Sequence, residues 1–199
     1  MTTLVYPPLH ENMTASEQRQ ATVRWARRAL RPDAAVIIGL GTTAPGSGSL
    51  IEIAVIEADR TIRLNTLVNP RTPMNPVTRR HPRLTEDMLT GAPSFGQILT
   101  ELLTITDGRG IAAYNSGSAF ATVIGESHGA GLDPEHFEDP AAWRSIAQAR
   151  SNWLGHRDHY FPLPSTPRAL DQCHAALSVL RTSQRTEPNP RTNSYWSRR

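Results

Sequence analysis

Hydrophobic and polar positions alternate between two periods along this chain, and the switches between them mark the elements. Residues 15–31 carry Val23, Ala26 and Leu30 at helical spacing, with Ser16 available as a cap, so a helix is predicted there. Its other face holds Arg19, Arg24, Arg27, Arg28 and Arg31, which reads as a solvated surface. Pro32-Asp33 breaks it. Three strand-like apolar runs follow: Ala35 to Leu40, Leu50 to Glu57 and Thr61 to Val68. The connections Thr42 to Ser49 and Ala58 to Arg60 are too short for crossover helices, so these strands form an antiparallel meander.

Asn69 to Pro82 is rich in Pro and Arg and reads as irregular. Leu84 to Leu89 is a short helix capped by Thr85, and Ser94 to Thr104 is a helix with Phe95, Ile98, Leu102 and Leu103 inward. Gly110 to Tyr114 is a fourth strand. Ser118 to Gly129 and Pro140 to Leu154 are predicted helices, followed by an aromatic, Pro-bearing stretch from Arg157 to Ser165. Thr166 to Arg181 is the last helix, with Ala169, Leu170, Cys173, Leu177 and Leu180 on one face. The organisation is an extended arm over 1–14, one domain over 15–183 and a polar tail over 184–199 that reads as disordered.

Composition adds three constraints. The 199 residues suffice for one domain with a sizeable core, and 13 Gly with 16 Pro make it loop-rich. All 21 basic residues are Arg, and net charge is only +3, so no strongly basic surface is implied. Codon usage is the first explanation of that bias, and phosphate recognition, since Arg forks onto phosphate bidentately, is the lesser one. A lone Cys173 excludes an internal disulfide and fits a cytoplasmic location. No apolar run reaches the ~18 residues that span a bilayer.

Gly39-Leu40-Gly41-Thr42-Thr43-Ala44 fits the dinucleotide fingerprint, with Glu57 and Asp59 downstream. That fingerprint needs a helix whose N-terminus faces the pyrophosphate. Here Pro45, Gly46 and Gly48 follow at once and the next element is a strand, which argues against a dinucleotide site.

A second reading uses the whole chain. The run Ala35-Val36-Ile37-Ile38-Gly39-Leu40-Gly41-Thr42-Thr43 is followed in order by Ile51-Glu52-Ile53-Ala54-Val55, Thr66-Leu67-Val68-Asn69-Pro70 and Leu84-Thr85-Glu86-Asp87-Met88-Leu89. Ala92-Pro93-Ser94-Phe95, Ala113-Tyr114-Asn115 and Arg168-Ala169-Leu170-Asp171 come next. This succession resembles the DEDD-type 3′–5′ exonuclease family, which includes proofreading exonucleases and RNase T, over residues 18–183. The resemblance implies an α/β, RNase H-like fold: a mixed sheet, antiparallel in its first three strands, with helices on both faces. It also implies two-metal phosphodiester hydrolysis, with two Mg²⁺ ions about 4 Å apart held by carboxylates.

The residues that the resemblance assigns to that chemistry are wrong for it. The first-strand acids fall on Gly39 and Gly41. The third falls on Ala119, or on Ala121 with a shifted loop. The last falls on Gln172, the general-base His on Pro167, and the His before Thr85 on Pro82, with His81 one residue early. Natural loss of the family's catalysis follows, with no cofactor, or Mg²⁺ or Mn²⁺ only if activity survives through relocated ligands such as Asp171. Glu52 matches a non-catalytic family position and reads as structural. Glu126, His128, His156, Asp158 and His159 are the raw material for a replacement metal cluster, although an ordinary polar loop explains them too. Ser116 and Ser118 lack a nucleophile elbow, and Cys173 lies on an apolar face.

A groove without its acids can accept a phosphate backbone without metal. The candidate nucleic-acid contacts are Arg79, Arg80 and Arg83 on its rim, with Thr42, Tyr114 and Asn115, and Tyr114, Tyr160 and Phe161 as stacking faces. The expected partner is single-stranded nucleic acid. A protein partner held through residues 1–31 or 184–199 is the alternative, and the dimers common among relatives make a homodimer a further expectation.

Overall fold

The computed structural model describes residues 13–44, 48–70, 84–156, 159–165 and 168–188. Helix α1 (Ala15–Ala29) opens the described chain. Its cap is Thr14 rather than Ser16: the Thr14 hydroxyl accepts from the Glu17 N–H, and the Glu17 carboxylate accepts from the Thr14 N–H at 2.7 Å. Thr14-Ala15-Ser16-Glu17 is thus a capping box, which satisfies two otherwise orphaned donors.

Strands β1 (Ala35–Thr42), β2 (Leu50–Ile56) and β3 (Ile62–Leu67) form the expected antiparallel meander. Helix α2 (Glu86–Thr90), capped by Thr85, and helix α3 (Phe95–Thr106) lead to β4 (Gly110–Ala113). Helix α4 (Ser116–Gly129), strand β5 (Trp143–Ser145), helix α5 (Ile146–Leu154) and helix α6 (Ala169–Ser183) complete the order. The sheet runs β3-β2-β1-β4-β5, with β4 parallel to β1 and β5 parallel to β4.

The helix predicted over Pro140 to Leu154 is corrected. Pro140–Ala142 is one short 3₁₀ turn, Trp143–Ser145 pairs with β4, and only Ile146–Leu154 is α-helical. Ser145 ends the strand and caps the helix, its hydroxyl accepting from the Gln148 N–H. The edge strand forms because Trp143 buries its ring against Phe137 and Phe120 while its indole N–H donates to the Phe137 carbonyl at 3.0 Å.

Alternation along β1 sorts the core into two layers. Val36 and Ile38 face α3 and α4 with Ile53, Val55, Leu102 and Ile111. Ala35 and Ile37 face α1, α5 and α6 with Ala54, Ile56, Trp25, Leu177 and Leu180. Each fully buried Leu or Ile contributes roughly 1.5–3 kcal/mol. Among the described residues, no helix is long and apolar enough to cross a membrane.

Candidate functional site

Two neighbouring places on β1 matter, one on each face. The first is an open cleft of about 330 Å³ at the C-terminal ends of β1 and β4. Ile38, Leu40 and Thr42 line it from β1. Tyr114 and Asn115 line it from the β4–α4 turn, Ser118 and Ala119 from the first turn of α4, Tyr160, Leu163 and Ser165 from the segment before α6, and Gln172 from α6. Every one of these described lining residues is uncharged.

Local structure explains most of the placements. Asn115 is the cap of α4, its side-chain oxygen accepting from the Ser118 N–H. The Thr42 hydroxyl turns onto the Ala44 carbonyl at 2.8 Å. Gln172 spans to β1, its amide donating to the Leu40 carbonyl at 3.1 Å. Tyr114 lies largely under the surface, at 7% exposure. Its hydroxyl donates to the Phe161 carbonyl and accepts from the Arg150 guanidinium at 3.0 Å. Burial, the larger influence, raises the Tyr114 pKa against the opposing pull of Arg150. Tyr114 therefore cannot offer a free stacking face, contrary to the expectation from sequence. Tyr160, 58% exposed and edge-on to Tyr114, can. Phe161 is engaged by the Arg150 guanidinium 5.2 Å above its ring and by His159.

The segment carrying Tyr160 is held by its own carbonyls. The Ser151 hydroxyl donates to the His159 carbonyl at 2.6 Å, and Arg150 reaches the Pro162 carbonyl at 3.3 Å. Arg150, itself 4% exposed, thus ties α5, Tyr114 and this segment together.

On the other face of β1, Gly39 lies beneath α6 and Gly41 lies beside Glu52 of β2. A Cβ at Gly39 would collide with the Ala169 carbonyl oxygen and meet the Cys173 sulfur at 2.9 Å. The approach is made possible by small residues on both sides. Gly39 pairs with Ala54 across the sheet, and α6 presents Ala169, Cys173 and Ala176 at helical spacing. The Cys173 thiol donates to the Ile37 and Ala54 carbonyls at 3.5 and 3.4 Å, and burial pushes its pKa up to about 12.

Gly41 pairs with Glu52, whose carboxylate is 2% exposed as a residue and sits at the start of α6. It accepts from Arg168 Nε at 2.8 and 3.0 Å, from the other guanidinium arm at 2.7 Å and from the Ala169 N–H at 3.1 Å. The hydrogen bond to Glu52 in turn raises the Arg168 pKa. No sequence signal joins these two residues, which lie 116 positions apart.

Of the positions aligned with family acids, Ala119 and Gln172 thus line the cleft, while Gly39 lies under α6 and Gly41 lies beside Glu52. A two-Mg²⁺ centre does not fit this chemistry. Gly, Gly, Ala and Gln supply no carboxylate, and the nearby Glu52 is already held by Arg168 and a backbone N–H. The described members of the candidate replacement cluster do not converge either. Glu126 accepts from the Leu50 N–H, His128 pairs with Glu138, and His156 and His159 gather around Phe161. Among the described residues, no three His, Cys, Asp or Glu converge on a metal-sized site. Asp171 is exposed and outside the cleft lining. Arg79, Arg80, His81, Pro82, Arg83, Asp158 and Pro167 lie outside the described residues.

A central mixed sheet with β1 antiparallel to β2, parallel to β4, and helices on both faces matches solved nuclease structures. The chain has the exonuclease fold. It superposes on the nuclease domain of 3′hExo, a DEDDh family member bound to rAMP, with TM-score 0.53 and 15% identity over 76% of this chain and 92% of that one. A 3′-exonuclease in 3′-end-specific recognition of a histone mRNA stem-loop matches with TM-score 0.58 and 14% identity, covering 87% and 81%. E. coli Exonuclease I in complex with a 5cy-dA13 oligonucleotide matches with TM-score 0.57 and 13% identity over 80% of this chain and 42% of that one. No family model matches the sequence, and no curated protein does.

Proposed function

We propose that this exonuclease-fold protein binds single-stranded nucleic acid in the β1–β4 cleft without cleaving it. The observation that carries the reading is the uncharged described lining of the cleft, in which Ala119 and Gln172 stand at positions the exonuclease pattern gives to carboxylates. Without acids there, a phosphate chain meets no repulsion that a metal would have to offset. Amides and hydroxyls from Asn115, Ser118 and Gln172 surround an apolar floor, and Tyr160 offers an exposed ring beside it. Solved proteins of the same fold hold rAMP, an mRNA stem-loop and a dA13 oligonucleotide.

The test is fluorescence anisotropy with labelled single-stranded DNA and RNA in Mg²⁺ and in EDTA, followed by a denaturing gel of the same mixtures. Binding of equal strength in both buffers, with full-length oligonucleotide on the gel, is expected. Tyr160→Ala should weaken binding by roughly 1–3 kcal/mol, the scale of one stacked base. Changing Arg79, Arg80 and Arg83 together to Ala should flatten the salt dependence, since each phosphate contact on a single strand adds about 0.7 to the slope. A ladder of shortened products would establish an enzyme instead. Absence of binding would favour the scaffold reading. That scaffold would have to use the Arg face of α1 or the C-terminal tail, because α1 buries Trp25, Ala26 and Ala29 in the fold.

A further inference from the structure

Losing a metal site can mean two different things. The ligands can be deleted from a scaffold that still has the right shape, or the scaffold itself can close. The first leaves a cavity that restored acids would refill. The second leaves nowhere to put them.

We infer that the metal-ligand face of β1 is filled, not merely stripped: α6 occupies the side-chain volume at Gly39, and the Arg168 guanidinium supplies the positive charge beside Gly41. Three observations meet here. The Ala169 carbonyl lies where the first atom of any side chain at Gly39 would go, and the Cys173 sulfur closes the remaining space at 2.9 Å. A carbonyl in the first turn of a 15-residue helix cannot move without dragging the helix, because its neighbours are fixed by the backbone ladder. Beside Gly41, the Glu52 Oε2 lies 3.6 Å from a built Cβ, so a carboxylate already stands next to the second vacant position. That carboxylate is neutralised from within the chain, by the Arg168 fork and the Ala169 N–H. An acid added at Gly41 would face Glu52 at close quarters, and like charges so placed oppose each other's ionisation. The inference rests on the assignment of the family's first-strand acids to Gly39 and Gly41. It holds whether or not the cleft binds nucleic acid, and its test contains none.

The two positions differ in how tightly they are filled, and that difference is measurable. Gly39→Ala should lower Tm by about 5–10 °C, the scale of overpacking in a domain of this size. Gly41→Ala should lower it by much less, because the nearest atom to its Cβ is the Glu52 Cβ at 3.3 Å. The second arm restores all four acids with Gly39→Asp, Gly41→Glu, Ala119→Asp and Gln172→Asp. Calorimetric titration with Mg²⁺ and with Mn²⁺ should show no binding, and neither ion should raise Tm. A Gly39→Ala variant as stable as the parent would overturn the inference. So would a restored variant that binds either ion or is stabilised by it. If the restored variant does not fold, the Gly39→Ala measurement alone decides.

Discussion

The two faces of β1 have met opposite fates. Ile38, Leu40 and Thr42 look into an open cleft whose described lining is uncharged, while on the opposite face Gly39 lies beneath a helix packed onto bare backbone and Gly41 lies beside the Glu52 carboxylate. Strand alternation makes such divergence easy, because adjacent residues report to different layers. The closed face is governed by packing and by one buried ion pair. The open face is governed by hydrogen bonds that hold Tyr160 and Gln172 at its edge. Stability should therefore be concentrated on one side of the strand and ligand binding on the other, and substitutions can separate the two.

The largest effect is expected at the ion pair. Arg168→Leu leaves the Glu52 carboxylate buried, with only the Ala169 N–H among the bonds described for it above. Removing one partner of a buried pair costs roughly 3–5 kcal/mol, and the 36% exposure of the Arg168 side chain reduces this to about 2–4 kcal/mol through solvent screening. Urea unfolding measures it. Adding Glu52→Gln to the same chain should recover part of the loss, since the stranded charge is gone. If Arg168→Leu costs nothing and the second change recovers nothing, α6 is held by apolar packing alone, and the closed face has a single cause instead of two.

A smaller effect is expected at the boundary between the faces. Tyr114→Phe removes a hydroxyl that links the Phe161 carbonyl to Arg150. The cost should be roughly 1–2 kcal/mol, since a part-buried acceptor loses its donor. The sharper readout is local: amide exchange at residues 159–161 should accelerate while that of β1 and β2 stays slow. Uniform acceleration would mean that the cleft wall and the core open as one unit.

Much of this architecture was legible in the residues. The meander followed from connections too short for helices, and α6 from Ala169, Cys173, Leu177 and Leu180. Strand β5 was hidden because Trp143-Arg144-Ser145 is too short to show a period and is followed without punctuation by α5. The cap of α1 carried its own signal in Thr14 and Glu17, which outcompetes Ser16 because the box satisfies two donors at once. The vacant positions were readable as glycines. What filled them was not: the Ala169 carbonyl is a backbone group, and the Glu52–Arg168 pair joins distant residues by tertiary geometry alone. Tyr114 looked like a stacking platform because its type suits one. Its burial was set by Arg150 and Phe161, on segments far along the chain.

The effect that is absent at neutral pH is the cleanest, because the chain contains no Lys. Between about pH 9 and pH 12 most proteins titrate Lys and Tyr together. In the unfolded chain, the side-chain types left with ordinary values in or beside that window are Cys and Tyr. The Cys173 thiol, buried against the closed face of β1, has its pKa raised from 9.0 to about 12 in the folded chain. A raised folded pKa means that the folded state holds its proton where the unfolded state has already lost it. The stabilisation is full below the unfolded pKa and is lost as pH climbs from there through the folded value. Tyr114, also raised by burial, acts with the same sign. Cys173→Ser keeps a donor for the Ile37 and Ala54 carbonyls but does not ionise in this range. Its unfolding free energy should therefore fall less steeply than the parent's between pH 9 and pH 12, leaving the slope due to Tyr. Parallel slopes would show that water reaches the sulfur, and with it that α6 does not seal the strand.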